Sequence, residues 1–312
     1  MKKPTLFNLP LTLFTITAIF AFLSIAVTAC ESEEGPFSGL PPPRDEWWKE
    51  IEEGGEIYDD LRYKEVNGSI TIIRYEGEGG SVTIPPEIGE MPVTAIGIHA
   101  FRETNLSGVV IPGSVVSIGN NAFRDNKLAE LIIPSSVISI GNRAFEDNQL
   151  ASIIIHSSVA SIGFLAFYNN LLTSIIIPDS VTSIGNSAFY NNRLASVTIP
   201  NSITMIPGGL FSHNRLTSVV IPDNITSISR SAFSSNPITF VIIPDNVIKI
   251  ENGAFSNTWL TSITIGKNVD LEEGEYSDAF GYSFFVKQYN AGGRQAGTYT
   301  RPDTDSHVWT RE

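Results

Sequence analysis

Apolar positions along this chain are set by a phenylalanine that recurs every 22 residues, at Phe101, Phe123, Phe145, Phe167, Phe189, Phe211, Phe233 and Phe255. Counting from it, an apolar residue falls five places on, at Leu106, Leu128, Leu150, Leu172, Leu194, Leu216, Ile238 and Leu260. A pair follows eight and ten places on, as in Leu131/Ile133, Ile153/Ile155 and Ile175/Ile177. Spacing by two places both members on one side of a short strand. Proline then follows in most coils, at Pro112, Pro134, Pro178, Pro200, Pro222 and Pro244. A residue without an N–H ends the ladder there and turns the chain. A second pair, fourteen and seventeen places on, runs from Val115/Ile118 to Val247/Ile250 and predicts an opposite wall. Gly119, Gly141, Gly163 and Gly185 open the turn into the Ala-Phe step, where the expectation is left-handed backbone.

A fixed period of this size predicts stacked coils, each burying its apolar sides against its neighbours. The expected fold is mainly β, a solenoid with a phenylalanine spine and a cap at each end. Such a fold presents long surfaces and rarely encloses a reaction pocket. Asn126, Asn148, Asn170, Asn192, Asn214 and Asn236 stand three places after the phenylalanine. Buried amides at a recurrent loop position are expected to bond the backbone of an adjacent coil.

If the residues eight and ten places on face inward, the one between them faces outward. That row reads Val110, Ile132, Ile154, Ile176, Thr198, Val220, Ile242 and Thr264. Two places earlier run Gly108, Glu130, Ser152, Ser174, Ser196, Ser218, Phe240 and Ser262. At about 4.8 Å between strands the stripe is roughly 34 Å long. β-Branched residues are good strand formers, which is one reading of the row. A continuous exposed apolar stripe also marks a protein interface. On that second reading Val110, Ile132, Ile154, Ile176, Thr198, Val220, Phe240 and Ile242 are the candidate partner-binding residues. Asp179, Asp223 and Asp245 form a column at the following turn, a solvated acidic edge or a calcium site. The repeats lack the Asp-Gly pattern of calcium-binding β-rolls.

The first residues read differently. Lys2 and Lys3 precede an apolar stretch from Leu11 to Val27, and Val27-Thr28-Ala29-Cys30 completes the order of an export signal. An uncleaved membrane helix is the alternative for a stretch of this length. Residues 30–53 are rich in Glu, Gly and Pro, and Pro41 to Pro43 favour an extended tether of about 3 Å per residue. The expected organisation is a signal at 1–29, the tether at 30–53, a capping coil at 54–97, the repeat array at 98–270 and a closing cap at 271–312. Net charge is −13 and only 17% of residues are charged. That composition folds, and its acidity argues against nucleic acid, whose phosphates need clustered Lys and Arg. With a single cysteine no disulfide framework exists, so stacking has to supply the stability.

The I-G-N-x-A-F and I-x-I-P-x-S-V signatures resemble those of bacterial leucine-rich-repeat surface proteins of the BspA type, known from anaerobes and spirochaetes. The resemblance runs from about Ile57 to Ile265, with Ser69 to Tyr75 and Pro92 to Gly97 similar to the family's opening coil. The tail at Phe284 to Tyr289, Ala296 to Tyr299 and Trp309 resembles the closing cap of spirochaete members. It implies a curved leucine-rich-repeat solenoid of 22-residue coils, with short strands and short helical turns, displayed on a cell surface. Adhesion to host matrix proteins or to other bacteria is what it implies for function. Val27 to Cys30 likewise resembles a bacterial lipobox, which implies cleavage before Cys30, lipid on its thiol and an anchor in the envelope, at the outer membrane or cell surface. Departures come mostly late in the array, where Leu210 replaces the alanine and Pro207-Gly208-Gly209 the usual turn; His156 and Gly266 replace proline.

His99, His156, His213 and His307 fit no metal-ligand spacing, and no nucleophile elbow is present. Gly77 to Gly80 lacks a following helix, which leaves it a turn and not a phosphate loop. No catalytic activity, metal or cofactor is expected. Two classes remain: a surface binding module for protein ligands, and a structural envelope protein whose strand face self-associates.

Overall fold

A computed structural model describes residues 54–272, 279–280 and 284–312. The signal, Cys30 and the tether lie outside the described residues, as does part of the segment around Ala279. The array is a β-solenoid of about nine turns.

Two parallel ladders run along it. One joins strands such as Glu130–Ile132 to Ser152–Ile154, Ser174–Ile176 to Ser196–Thr198, and Phe240–Ile242 to Ser262–Ile265. The other, on the opposite wall, joins two-residue strands Ser117–Ile118, Ser139–Ile140, Ser161–Ile162 and Ser183–Ile184. Partners in both are 22 residues apart, so one coil's sequence sits directly on the next, as in Ser139 on Ser161. A third set of bonds joins the turns: Phe123 N–H donates to the Ala144 carbonyl at 2.8 Å and Asp125 N–H to the Glu146 carbonyl at 3.0 Å.

The eight phenylalanines are fully buried and stacked face to face, with centroids 4.9 Å apart at Phe101/Phe123 and 5.9 Å apart at Phe189/Phe211. Tyr75 extends the column at one end and Phe280 at the other. Burying a phenylalanine contributes about 1.5–3 kcal/mol, and stacked rings add to that.

The caps close different ladders. At the amino-terminal end, antiparallel strands Glu56–Tyr58, Leu61–Val66 and Ser69–Tyr75 lead into Met91–Ile96, extending the two-residue ladder. At the other end, Gly297–Thr300 lies antiparallel on Ser262–Ile265, and Thr310–Arg311 on Gly297–Thr300. Phe285 meets Phe280 edge-on at 5.0 Å and packs with Tyr299 and Trp309, ending the ring stack with a crossed aromatic cluster.

Two expectations are corrected. The short helical turns are hydrogen-bonded turns; among the described residues the helix is Phe285–Ala291, in the closing cap. The glycine column is not left-handed either. A Cβ on Gly163 would lie 2.5 Å from the Asn142 nitrogen and the Gly141 carbonyl carbon, and one on Gly185 would lie 2.2 Å from the Phe164 nitrogen. These glycines let neighbouring backbones touch. The left-handed positions fall at the second residue on either side of the phenylalanine, for example Asn121 and Asp125 at φ 55° and 57°. Short polar side chains carry most of them, as the steric cost of that region favours.

Candidate functional site

The strand face is built by alternation. Leu131 and Ile133 point into the core, which turns Glu130 and Ile132 outward; the same holds at Ile175 and Ile177 around Ile176. All eight candidate residues are exposed: Val110, Ile132, Ile154, Ile176, Thr198, Val220, Phe240 and Ile242. Ile132, Ile176 and Val220 are exposed to 68%, 73% and 83%, far beyond what the strand core requires. Register places seven of them in one row, since Ile154 pairs with Ile132, Ile176 with Thr198 and Val220 with Ile242, while Phe240 stands two places earlier, opposite Ser262. Thr264 ends the row half-buried, its hydroxyl 3.0 Å from that of Thr298 in the closing cap.

The apolar repeat alone does not reveal a second variable row, five places before the stripe on each coil. Four places after the phenylalanine, just before the buried Leu or Ile, stand Asn105, Lys127, Gln149, Leu171, Arg193, Arg215, Pro237 and Trp259. Arg193, Arg215 and Trp259 are exposed there, on the same run of coils as Val220, Phe240 and Ile242. The signal was variability at a fixed place in an otherwise repeated sentence.

The asparagine column is committed to structure. Asn148 Oδ1 accepts the Leu128 N–H at 3.1 Å, and its Nδ2 donates to the Phe123 carbonyl at 2.9 Å, both on the preceding coil. The acidic edge is exposed, and Asp179 accepts the Asn201 N–H at 2.7 Å. Among the described residues no group of three His, Cys, Asp or Glu side chains could hold a metal ion.

Titratable groups cluster at the turns of the first coils. Burial raises the Glu146 and Asp125 carboxyls, against the pull of Arg124. Arg124 and Arg143 lie 3.2 and 3.7 Å from Glu146, so burial outweighs two nearby cations. His99 is pushed down to about 4, by burial first and then by Arg102 and Arg124, which leaves it neutral at neutral pH. Arg124 pairs with both Asp125 and Glu146, each at 3.2 Å, at these turns. An open cleft of about 250 Å³ lies on the amino-terminal hairpin between Glu56, Tyr63, Lys64 and Met91. There the Tyr63 hydroxyl donates to Glu56 at 2.6 Å.

Against known families, six copies of the BspA-type leucine-rich-repeat region match, over residues 94–214 and 160–282. The chain belongs to the BspA-type leucine-rich-repeat family. Proteins of this family are typically found at the cell surface, and leucine-rich repeats of this kind generally serve as non-catalytic scaffolds for protein interaction. Comparison with curated proteins gives no match. Among solved structures, a leucine-rich-repeat protein from Bacteroides ovatus is 26% identical, with a TM-score of 0.59 over 70% of this chain and 66% of its own. The BspA-type chain thus spans slightly less than two thirds of that relative. The pneumococcal vaccine antigen PcpA, 18% identical, has a TM-score of 0.51 over 69% of this chain and 71% of its own, and shares the fold. A leucine-rich-repeat protein of T. pallidum is 25% identical, with a TM-score of 0.45 over 61% of this chain and 86% of its own. Among the described residues of this BspA-type protein no helix is long and apolar enough to cross a membrane.

Proposed function

We propose that this chain is a non-enzymatic surface lipoprotein that binds other proteins through its strand face, held in the envelope by lipid on Cys30. The exposed apolar row from Val110 to Ile242 carries the proposal. Exposing several isoleucines in line costs solubility, and such a stripe persists where it serves contact. Its ligands are host matrix proteins or proteins on other bacteria, and any anchoring passes through the lipobox at Val27 to Cys30.

Replacing Ile154 and Ile176 with Lys tests the face. The substitutions leave the partly buried Ile153 and the buried Ile155, Ile175 and Ile177 in place, so the variant is expected to keep its melting temperature and lose saturable binding to immobilised fibronectin, fibrinogen or partner cells. Unchanged binding in the folded variant removes the stripe from consideration. Protease shaving of intact cells tests the address: cleavage before lysis is expected, and protection until lysis overturns surface display. The second reading, self-association through the same face, rests on the stripe being apolar or β-branched from coil to coil; light-scattering mass decides it, an oligomer without host binding favouring a structural role.

A further inference from the structure

The strand face is not uniform along its length. Its first half mixes Lys127 with Glu130, whereas over the coils that begin at Phe189, Phe211, Phe233 and Phe255 its outward positions carry Arg193 and Arg215 and no carboxylate. The two arginines lie 22 residues apart at the same place in neighbouring coils, so their backbones are stacked; Arg193 N–H donates to the Leu172 carbonyl at 2.9 Å and Arg215 N–H to the Leu194 carbonyl at 3.0 Å. Both side chains are exposed, and among the described residues neither guanidinium has an ion-pair partner, although the protein carries a net charge of −13. The next coils continue the row with Pro237 and Trp259, the indole 61% exposed. On the coils of this row, three or five places further along the chain, stand Phe240, Val220 and Ile242, held in register by the Phe240–Ser262 pair and the Val220–Ile242 bridge.

Two uncommitted guanidiniums, an open indole, an open phenyl ring and two exposed β-branched residues on four adjacent coils have the composition of an interface centre, where Trp, Phe and Arg concentrate and Lys and Glu are rare. The carboxylates nearest in sequence, Asp223 and Asp245, lie at the turn on the far side of the stripe. On the Phe211 coil charge therefore changes sign across the face, from Arg215 at the strand entry to Asp223 at the exit; the exit of the Phe233 coil carries Asp245, and that of the Phe255 coil carries Lys267. Resting on the strand-face reading above, we propose that the second half of the face takes an extended polypeptide segment from a protein partner, in which Asp or Glu alternates with aromatic or aliphatic residues. Its carboxylates lie on Arg193 and Arg215, each guanidinium offering a fork of N–H donors, and its apolar side chains lie on Trp259, Phe240, Val220 and Ile242. The aspartates at the exit repel the opposite placement and fix which side of the segment faces which edge.

The test selects random twelve-residue peptides on the full chain, then measures the enriched peptides by fluorescence anisotropy against wild type, R193E/R215E, W259A and I154K/I176K. Enrichment of acidic residues next to aromatic or aliphatic ones is expected, with affinity falling at least about tenfold in R193E/R215E and W259A and declining with salt. Binders without acidic bias, or acidic binders indifferent to R193E/R215E, overturn the proposal. So does binding that heparin displaces and W259A leaves unchanged, which makes the arginines a polyanion site only. Binding lost in I154K/I176K but kept in R193E/R215E moves the site to the first half of the face and leaves the broader reading standing. Indifference to all the variants, or no enrichment, removes both.

Discussion

Asn170 accepts the backbone N–H of Leu150, one coil back, through Oδ1 at 3.0 Å. Its Nδ2 donates to the Phe145 carbonyl at 2.9 Å, so one buried amide satisfies a donor and an acceptor of the neighbouring coil at once. Only a side chain with both functions fits. Asn170→Leu leaves the Leu150 N–H and the Phe145 carbonyl buried without these partners, and we expect a loss of about 2–4 kcal/mol. Asn170→Asp should be as costly at neutral pH, because a carboxylate then faces two carbonyl oxygens. Urea midpoints measure both, and a loss below about 0.5 kcal/mol for Asn170→Leu contradicts the assignment.

Gly163 and Ser231 separate the two uses of small residues in the turn. Gly163 touches backbone, so Gly163→Ala forces coils apart and is expected to destabilise by about 1–3 kcal/mol. Ser231 sits at φ 56°, in the column where Gly209 and Gly253 stand at φ 61° and 68°. Ser231→Gly removes left-handed strain and adds unfolded-state entropy, for a net gain of up to about 1 kcal/mol. Thermal melts of the two variants should move in opposite directions; a stabilising Gly163→Ala shows that the coils have room to spare.

Stability should also depend on Glu146. Its carboxyl is raised above the ordinary value by burial, so the folded state holds the proton more tightly than the unfolded chain does. The resulting contribution is fully present below the ordinary carboxylate value and is lost as pH rises through the folded value. Asp125 is shifted in the same direction. The urea midpoint is thus expected to gain from these two groups as pH falls from 7 toward 4, and Glu146→Gln with Asp125→Asn should flatten that part of the profile. An identical slope in the double variant places the dependence elsewhere.

Much of this was legible in the sequence, because side-chain direction in a short strand has period two and the coil has a fixed length. Leu131, Ile133 and the exposed Ile132 follow from those two facts. The glycine column did not: a residue chosen for left-handed φ and one chosen for backbone contact are both written Gly, and only the neighbouring coil distinguishes them. Arg193, Arg215 and Trp259 were missed since they break no repeat rule; their meaning comes from the stacking that gathers them on one run of coils with Phe240 and Ile242, which the sequence holds many residues away. The opposite closure of the two ladders also depends on where the terminal hairpins fold back.

The array has a seam at Pro207, and its behaviour is the sharpest test of the stacking argument. The N–H four places before each phenylalanine bonds the preceding coil, as Gly185 does to Ile162 at 2.8 Å and Ser229 to Ile206 at 3.0 Å. Pro207 has no N–H to offer. One coil segment earlier, Thr182 N–H reaches the Ala160 carbonyl at 2.9 Å and Thr226 N–H the Thr204 carbonyl at 2.8 Å, while Thr204 N–H makes no such bond to Thr182. The two-residue ladder accordingly ends at Ser183–Ile184 and restarts as a separate sheet at Met205–Ile206. The phenylalanine stack is widest on both sides of this coil, 5.9 Å at Phe189/Phe211 and at Phe211/Phe233. Stability in a solenoid is nearly a sum over neighbouring interfaces, so the array should open first where an interface has lost two bonds. Native-state hydrogen exchange is expected to show the amides of Thr204 to Ile206 exchanging at least about tenfold faster than those of Ala160 to Ile162, a gap of about 1.4 kcal/mol in opening free energy. Equal protection on both coils means that the buried Phe211 and Leu210 hold the seam closed without the ladder, and that side-chain stacking, not backbone pairing, sets where this solenoid opens.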